Sequence, residues 1–141
     1  MELEFKYYDK LPAEAAEIRK SIFLVEQKFS VEFDETDGLA VHIVGYIGAE
    51  PVCVCRVFYN EEKQSHIIGR VAVVKEYRRR GIGKLVVNEA ERYLRSLGAK
   101  RIMLSAQERV SDFYAGCGFE RTDSTYYDEY CPHVWMKKEI E

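Results

Sequence analysis

Three arginines, Arg78, Arg79 and Arg80, stand directly before Gly81-Ile82-Gly83-Lys84, and an apolar strand-like run, HIIGRVAVV at 66 to 74, leads into them. A strand that turns through Gly-x-Gly into a helix aims unpaired backbone N–H groups, and the positive helix end, at one point. That point suits phosphate. Gly81 and Gly83 put no side chain in the way of a close approach, and Arg78, Arg79, Arg80 and Lys84 surround the spot with positive charge. A charge run is also the usual makeup of a solvated face, so some of these arginines need touch nothing.

Two common phosphate-binding patterns fail here. A Walker loop requires Ser or Thr after its lysine, and Lys84 is followed by Leu85. It also needs a glycine five positions before Gly83, where Arg78 stands. A dinucleotide fingerprint needs a small residue where the chain has Val86.

The elements that would position this loop follow from periodicity. Residues 2 to 8 place Leu3, Phe5 and Tyr7 on one face of a strand. Pro12 opens a helix on which Ala15, Ile18, Ile22 and Val25 recur at helical spacing. FSVEFDETDGL follows as an exposed acidic loop. AVHIVGYI (40 to 47) and PVCVCRVFY (51 to 59) form a hairpin, and 66 to 74 continues the sheet. From Gly81 the period changes, and Ile82, Leu85, Val86, Ala90, Tyr93, Leu94 and Leu97 line one helix face up to Gly98. RIMLSA (101 to 106) is a buried strand, and 108 to 118 a short helix with Val110, Phe113, Tyr114 and Cys117 inward. The tail supplies two more strands, interrupted near Pro132. The order β α β β β α β α β β predicts an α+β or mixed α/β fold in one domain over 1–141, with helices on both faces of the sheet.

Composition bounds the function. The chain is 47% hydrophobic and 32% charged with a net charge of −3, which suits a globular fold and argues against a nucleic-acid binder using RRRGIGK. The opening MELEFKYYDK is not a signal peptide and no apolar run suits a membrane, so a cytoplasmic protein is expected. Cys53 and Cys55 are spaced to share one strand face and pack as small hydrophobes; no C-x-x-C suggests zinc, and no metal is expected.

Arg78-x-x-Gly81-x-Gly83 fits the Q/R-x-x-G-x-G/A signature of the GNAT family of N-acetyltransferases, and the chain resembles that family over nearly its whole length. Gln107, Phe113, Tyr114, Gly118 and Phe119 correspond to a second family feature, an Asn seven positions before the Tyr of FY-x-x-x-GF, with Gln107 replacing the Asn. IFLVEQ (22 to 27), HIVGY (42 to 46) and PHVWM (132 to 136) point to the ElaA-like bacterial subgroup. The resemblance implies a central, mostly antiparallel sheet of about seven strands. It also implies that amides of Gly81, Ile82 and Gly83 hold the pyrophosphate of acetyl-CoA, that the Gln107 amide meets the pantetheine arm or the acceptor loop, and that Tyr114 protonates the departing thiolate. On periodicity alone Tyr114 is a core aromatic.

Amide formation from a thioester makes two further demands. Negative charge on the carbonyl oxygen needs donors, and the N–H groups of Val73 or Val74 are candidates, with plain sheet pairing as the alternative. An ammonium acceptor needs a base, for which Glu26, His42 and His133 are candidates; each also has an ordinary structural reading, and water can serve instead. Glu32, Asp34, Glu35 and Asp37 either attract a cationic substrate or are solvated loop charge. Cys117 has no histidine beside it in sequence to make it a nucleophile. The expected activity is direct transfer of acetyl from acetyl-CoA to a primary amine of a small molecule, less favourably a peptide or lysine. A homodimer is open to the chain. The rival is a non-catalytic module that senses CoA.

Overall fold

The computed structural model describes residues 2–30 and 32–140. Seven strands form one sheet in the order β1-β2-β3-β4-β5-β7-β6. They are β1 (Leu3–Tyr8), β2 (Val41–Ile47), β3 (Glu50–Asn60), β4 (Ser65–Val73), β5 (Arg101–Gln107), β6 (Glu120–Asp128) and β7 (Cys131–Glu139). Every pairing is antiparallel except β4 with β5, which is parallel. That pairing spans only His66 with Ile102 and Ile67 with Met103. Beyond it the two strands part. β4 also carries a bulge opposite Val54 to Arg56, with Arg70 at φ +53°. An extra residue of this kind bends a strand and re-aims its side chains.

The helices cover both faces, as the element order predicts. Helix α1 (Ala13–Arg19) buries Ala15 and Ile18, and with Ile22 packs on Val44, Tyr46, Val54 and Ala72. Helix α2 (Ile82–Ser96) buries Ile82, Val86, Val87, Ala90 and Leu94 against the other face. Each of the valine, leucine and isoleucine side chains removed from water contributes about 1.5–3 kcal/mol. Cys53 and Cys55, two residues apart and so on one face of β3, sit in this larger core as small apolar groups.

Sequence and structure part in several places, beginning with α2, where Leu85 and Leu97 of the expected apolar face are exposed and Val87 is buried instead. Val25 is exposed, not inward, because α1 continues from Lys20 to Glu26 as a π-helical turn, closed by the Gln27 N–H donating to the Ile22 carbonyl at 2.9 Å. The wider turn breaks the 3.6-residue spacing and rotates Val25 outward. The helix expected at 108 to 118 is a 3-10 turn, Glu108–Val110, followed by α3 (Ser111–Gly116); its Phe113 is partly exposed. The tail strands break at Glu129, φ +57°, rather than near Pro132. Pro132 is tolerated inside β7 because β5 ends its pairing one residue away, at Gln107 with His133.

Three of the four acids in the acidic loop, Glu32, Asp34 and Asp37, are paired with arginines. Arg19 is buried and donates to Glu32 at 2.6 and 2.8 Å and to Asp37 at 2.8 and 3.1 Å. Arg56 donates to Asp34 at 2.7 Å and to Asp37 at 2.8 Å, and Arg70 to the Glu32 carbonyl at 2.8 Å. Glu35, the first residue of a short 3-10 turn to Gly38, stays exposed. The network ties the end of α1 to β3 and β4.

Candidate active site

Where β4 and β5 diverge, the sheet opens a cleft of about 530 Å³. Its walls are β4 from Ile68 to Val73, β5 from Leu104 to Gln107, the π turn, the loop into α2, and Val110, Phe113 and Tyr114. Among the residues predicted for a site, Glu26, Val73, Arg78, Arg79, Gly81, Ile82, Gly83, Lys84, Gln107, Tyr114 and His133 all line it.

The loop into α2 has the local form that anion binding needs. Gly81 caps the helix at φ +77°, in the left-handed region where a side chain is strained, and no side chain caps the first turn. Its leading N–H groups are therefore free for a ligand. Gly83 serves a different end. A Cβ there would lie 3.2 Å from the Phe113 ring, so this glycine lets α3 close against α2. Ile82 turns its side chain into the core and offers only backbone.

Val73 and Val74 are not equivalent. The Val74 N–H donates to the Val52 carbonyl at 2.8 Å, and its side chain packs toward α1. Adjacent strand residues turn their amides to opposite edges, so Val73 presents its N–H and carbonyl toward β5, which has already moved away. Arg78 Nε fills part of that edge by donating to the Val73 carbonyl at 3.0 Å. Val74 is thus corrected to ordinary sheet pairing.

The remaining predicted residues divide. Arg80 is exposed and lies over the Tyr77 ring at 5.1 Å, outside the cleft lining. His42 is buried and its Nε2 donates to the Asp37 carbonyl at 3.0 Å, so it is part of the ion network and not of the cleft. Glu26 faces the cleft but accepts both Nη groups of Arg78, at 2.7 and 2.8 Å, and these bonds hold its carboxyl below the usual range. The next residue, Gln27, accepts from Gln107 Nε2 at 2.9 Å. The last residue of the π turn and the one after it are thereby tied across the cleft.

Tyr114 projects from α3, and its hydroxyl has no hydrogen-bond partner among the described residues. Burial raises its pKa, and the Cys55 and Cys117 thiols push the same way, so it remains a neutral O–H donor. His133 on β7 is buried, with its ring stacked on Tyr126 at 5.4 Å and edge-on to Phe29 at 6.5 Å. Its Nδ1 lies 3.1 Å from the Cys131 carbonyl. A carbonyl only accepts, so Nδ1 carries the proton, and in the neutral ring Nε2 is left as an acceptor.

Phe29, Arg70, Ser105, Arg109 and Asp128 also line the cleft, although sequence reasoning singled out none of them. They come from five separate stretches, and only the alternate facing of strand residues could have hinted at Ser105 with Gln107.

With that geometry established, comparison with known proteins is decisive. The chain is 32% identical to the Bacillus subtilis protein YyaT over 138 residues, covering 90% of this chain and 88% of that one. It is 26% identical to Escherichia coli ElaA over 129 residues, 88% and 84% of the two chains, and the crystal structure of ElaA superposes with a TM-score of 0.83 over 98% and 100%. A Bacillus subtilis acetyltransferase solved in complex with CoA shares the fold at TM-score 0.73 and 16% identity, over 99% and 100% of the two chains. The family model described as the acetyltransferase (GNAT) domain matches residues 10–140, and the chain belongs to that family.

Proposed function

We propose that residues 1–141 act as one domain that binds acetyl-CoA and a small primary amine together and transfers the acetyl group directly between them. The observation that carries this reading is the parting of β4 and β5, which leaves the Val73 edge, the Tyr114 hydroxyl and the start of α2 on one cleft. The CoA carried by the structurally similar Bacillus acetyltransferase supports the choice of donor.

In this reading the N–H groups at Gly81, Ile82 and Gly83 bind the diphosphate, with Arg78, Arg79 and Lys84 adding charge. The Gln107 amide meets the pantetheine arm. The Val73 N–H donates to the thioester oxygen as negative charge builds there. His133 Nε2 takes a proton from the ammonium acceptor, and the freed nitrogen attacks the carbonyl carbon. As the C–S bond breaks, Tyr114 gives its proton to sulfur; the second proton lost by nitrogen returns through solvent to the tyrosine. Glu26, held by Arg78, is the weaker base candidate. A compact amine fits the side of the cleft lined by Phe29 and His133 better than a protein surface would.

Thiol release from acetyl-CoA across a panel of primary amines, with Tyr114→Phe in parallel, tests the proposal. Release with at least one amine, reduced strongly in the variant, is expected. Tight CoA binding with no release from any amine would point to the sensor. Reversing charge at Arg78 and Arg79 should raise the acetyl-CoA KM far more than the acceptor KM; equal effects would remove their assigned role.

A further inference from the structure

Three carboxylates line the cleft among the described residues: Glu26, Glu32 and Asp128. Two are neutralised where they stand. Glu26 accepts two hydrogen bonds from Arg78, and Glu32 is buried against Arg19 at 2.6 Å. Asp128 differs, because its side chain has no ion-pair or hydrogen-bond partner among the described residues. Asp128 is exposed on a cleft that Arg70 and Arg109 also line, and it offers an incoming cation a carboxylate bonded to neither.

Its setting is fixed by its neighbours rather than by bonds of its own. Asp128 ends β6 opposite Cys131, and the next two residues fasten the turn to the segment after the π turn. The Glu129 carboxylate accepts the Ser30 N–H at 2.9 and 3.0 Å. The Tyr130 hydroxyl donates to the Gln27 carbonyl, and its ring stacks on Phe29 at 5.3 Å. Tyr126, two residues before Asp128 and on the same strand face, stacks on His133 and shares a hydrogen bond with Ser105. A carboxylate, the Phe29 ring and the imidazole thus line the cleft together, with Tyr126 stacked on the imidazole. That combination recognises an organic ammonium, by charge and by ring faces together.

We propose that Asp128 selects the acceptor: it draws the amine in as its ammonium ion, against Phe29, within reach of His133. This rests on the transferase reading given above. It deepens that reading by naming the substrate class, simple alkyl and aralkyl amines. An α-amino acid would bring its own carboxylate close to Asp128, and the like charges disfavour it.

The test is steady-state kinetics with acetyl-CoA and two matched pairs, butylamine with norleucine and phenethylamine with phenylalanine. The wild type should use the amines and discriminate against the amino acids. Asp128→Asn should raise the amine KM by about 10-fold or more, leave the acetyl-CoA KM within about twofold, and narrow that discrimination. Raising the salt from about 0.05 to 0.5 M should weaken amine use by the wild type and affect the variant much less. Asp128→Ser provides a second uncharged variant should the first fold poorly, and CoA affinity by calorimetry checks that the donor side is intact. An unchanged amine KM, an equal rise in the acetyl-CoA KM, or a preference for the amino acids would overturn the proposal. Should the wild type release no thiol, calorimetry of butylamine binding to the CoA-loaded protein separates the two ideas: binding lost in Asp128→Asn keeps the subsite and removes only the transfer, and no binding at all removes both.

Discussion

Glu26 and Arg78 meet as a bidentate pair, Nη1 and Nη2 of the arginine lying 2.7 and 2.8 Å from the two carboxylate oxygens. The pair joins the π turn to the loop proposed to hold a diphosphate. A diphosphate arriving at Arg78 must compete with Glu26 for the same donors. Glu26→Gln removes the competing charge, so CoA should bind about 3- to 10-fold more tightly by calorimetry. Weaker binding in that variant would mean that Glu26 positions Arg78 and does not compete with the ligand.

The Tyr114 hydroxyl has no hydrogen-bond partner among the described residues, and burial is the first cause that raises its pKa. The sign matters: a raised value keeps the proton on oxygen through neutral and alkaline pH. Loss of the Tyr114 proton should therefore not limit kcat at any pH below about 10. Tyr114→Phe, which keeps the ring, should lower kcat by about 10²-fold with little change in the acetyl-CoA KM. A variant as fast as wild type would move the thiolate's proton source elsewhere.

His133 is the buried base candidate whose tautomer leaves Nε2 open, and Glu26 is the one tied to a cation. His133→Gln should lower kcat with the amine by about 10²-fold and leave CoA affinity unchanged, whereas Glu26→Gln should leave kcat near the wild-type value. The reverse pattern would exchange their roles.

Much of this arrangement was legible in the chain. The period-two strands, the Gly81 turn and the buried face of α2 each follow from local sequence, because side-chain alternation and helical spacing are local properties. The cleft itself is not local. It arises where β4 and β5 stop pairing after two residue pairs, and no short stretch encodes that divergence. The π turn escaped for a similar reason: Ile22 and Val25 keep helical spacing, and the backbone overrides it. Arg19 looks like a surface residue on α1 until Glu32 and Asp37 are folded over it. Asp128 looks like turn punctuation in YYDEY until Ser30 and Gln27 fix the turn.

Asp37 gives the ion network a measurable signature. Burial alone would raise its pKa, but Arg19 and Arg56 more than offset this and hold it down to about 2. A carboxyl whose folded value lies below its unfolded value stabilises the fold above the unfolded value, near 4, and loses that contribution as the pH falls toward 2. The shift corresponds to about 2 kcal/mol, since each unit is worth about 1.4 kcal/mol. In urea unfolding at pH 7, 4 and 2.5, the stability difference between the wild type and Asp37→Asn should therefore be nearly level between the first two and shrink before the third. Asp37→Asn should cost about 3–5 kcal/mol at pH 7, because it leaves two buried arginines short of a charge partner. It should also fall less steeply below pH 4, since the titrating group is gone. A variant that matches the wild type at pH 7 would show that Glu32 and Asp34 suffice to hold Arg19 and Arg56. In that case the tie between α1 and β3 would not depend on Asp37.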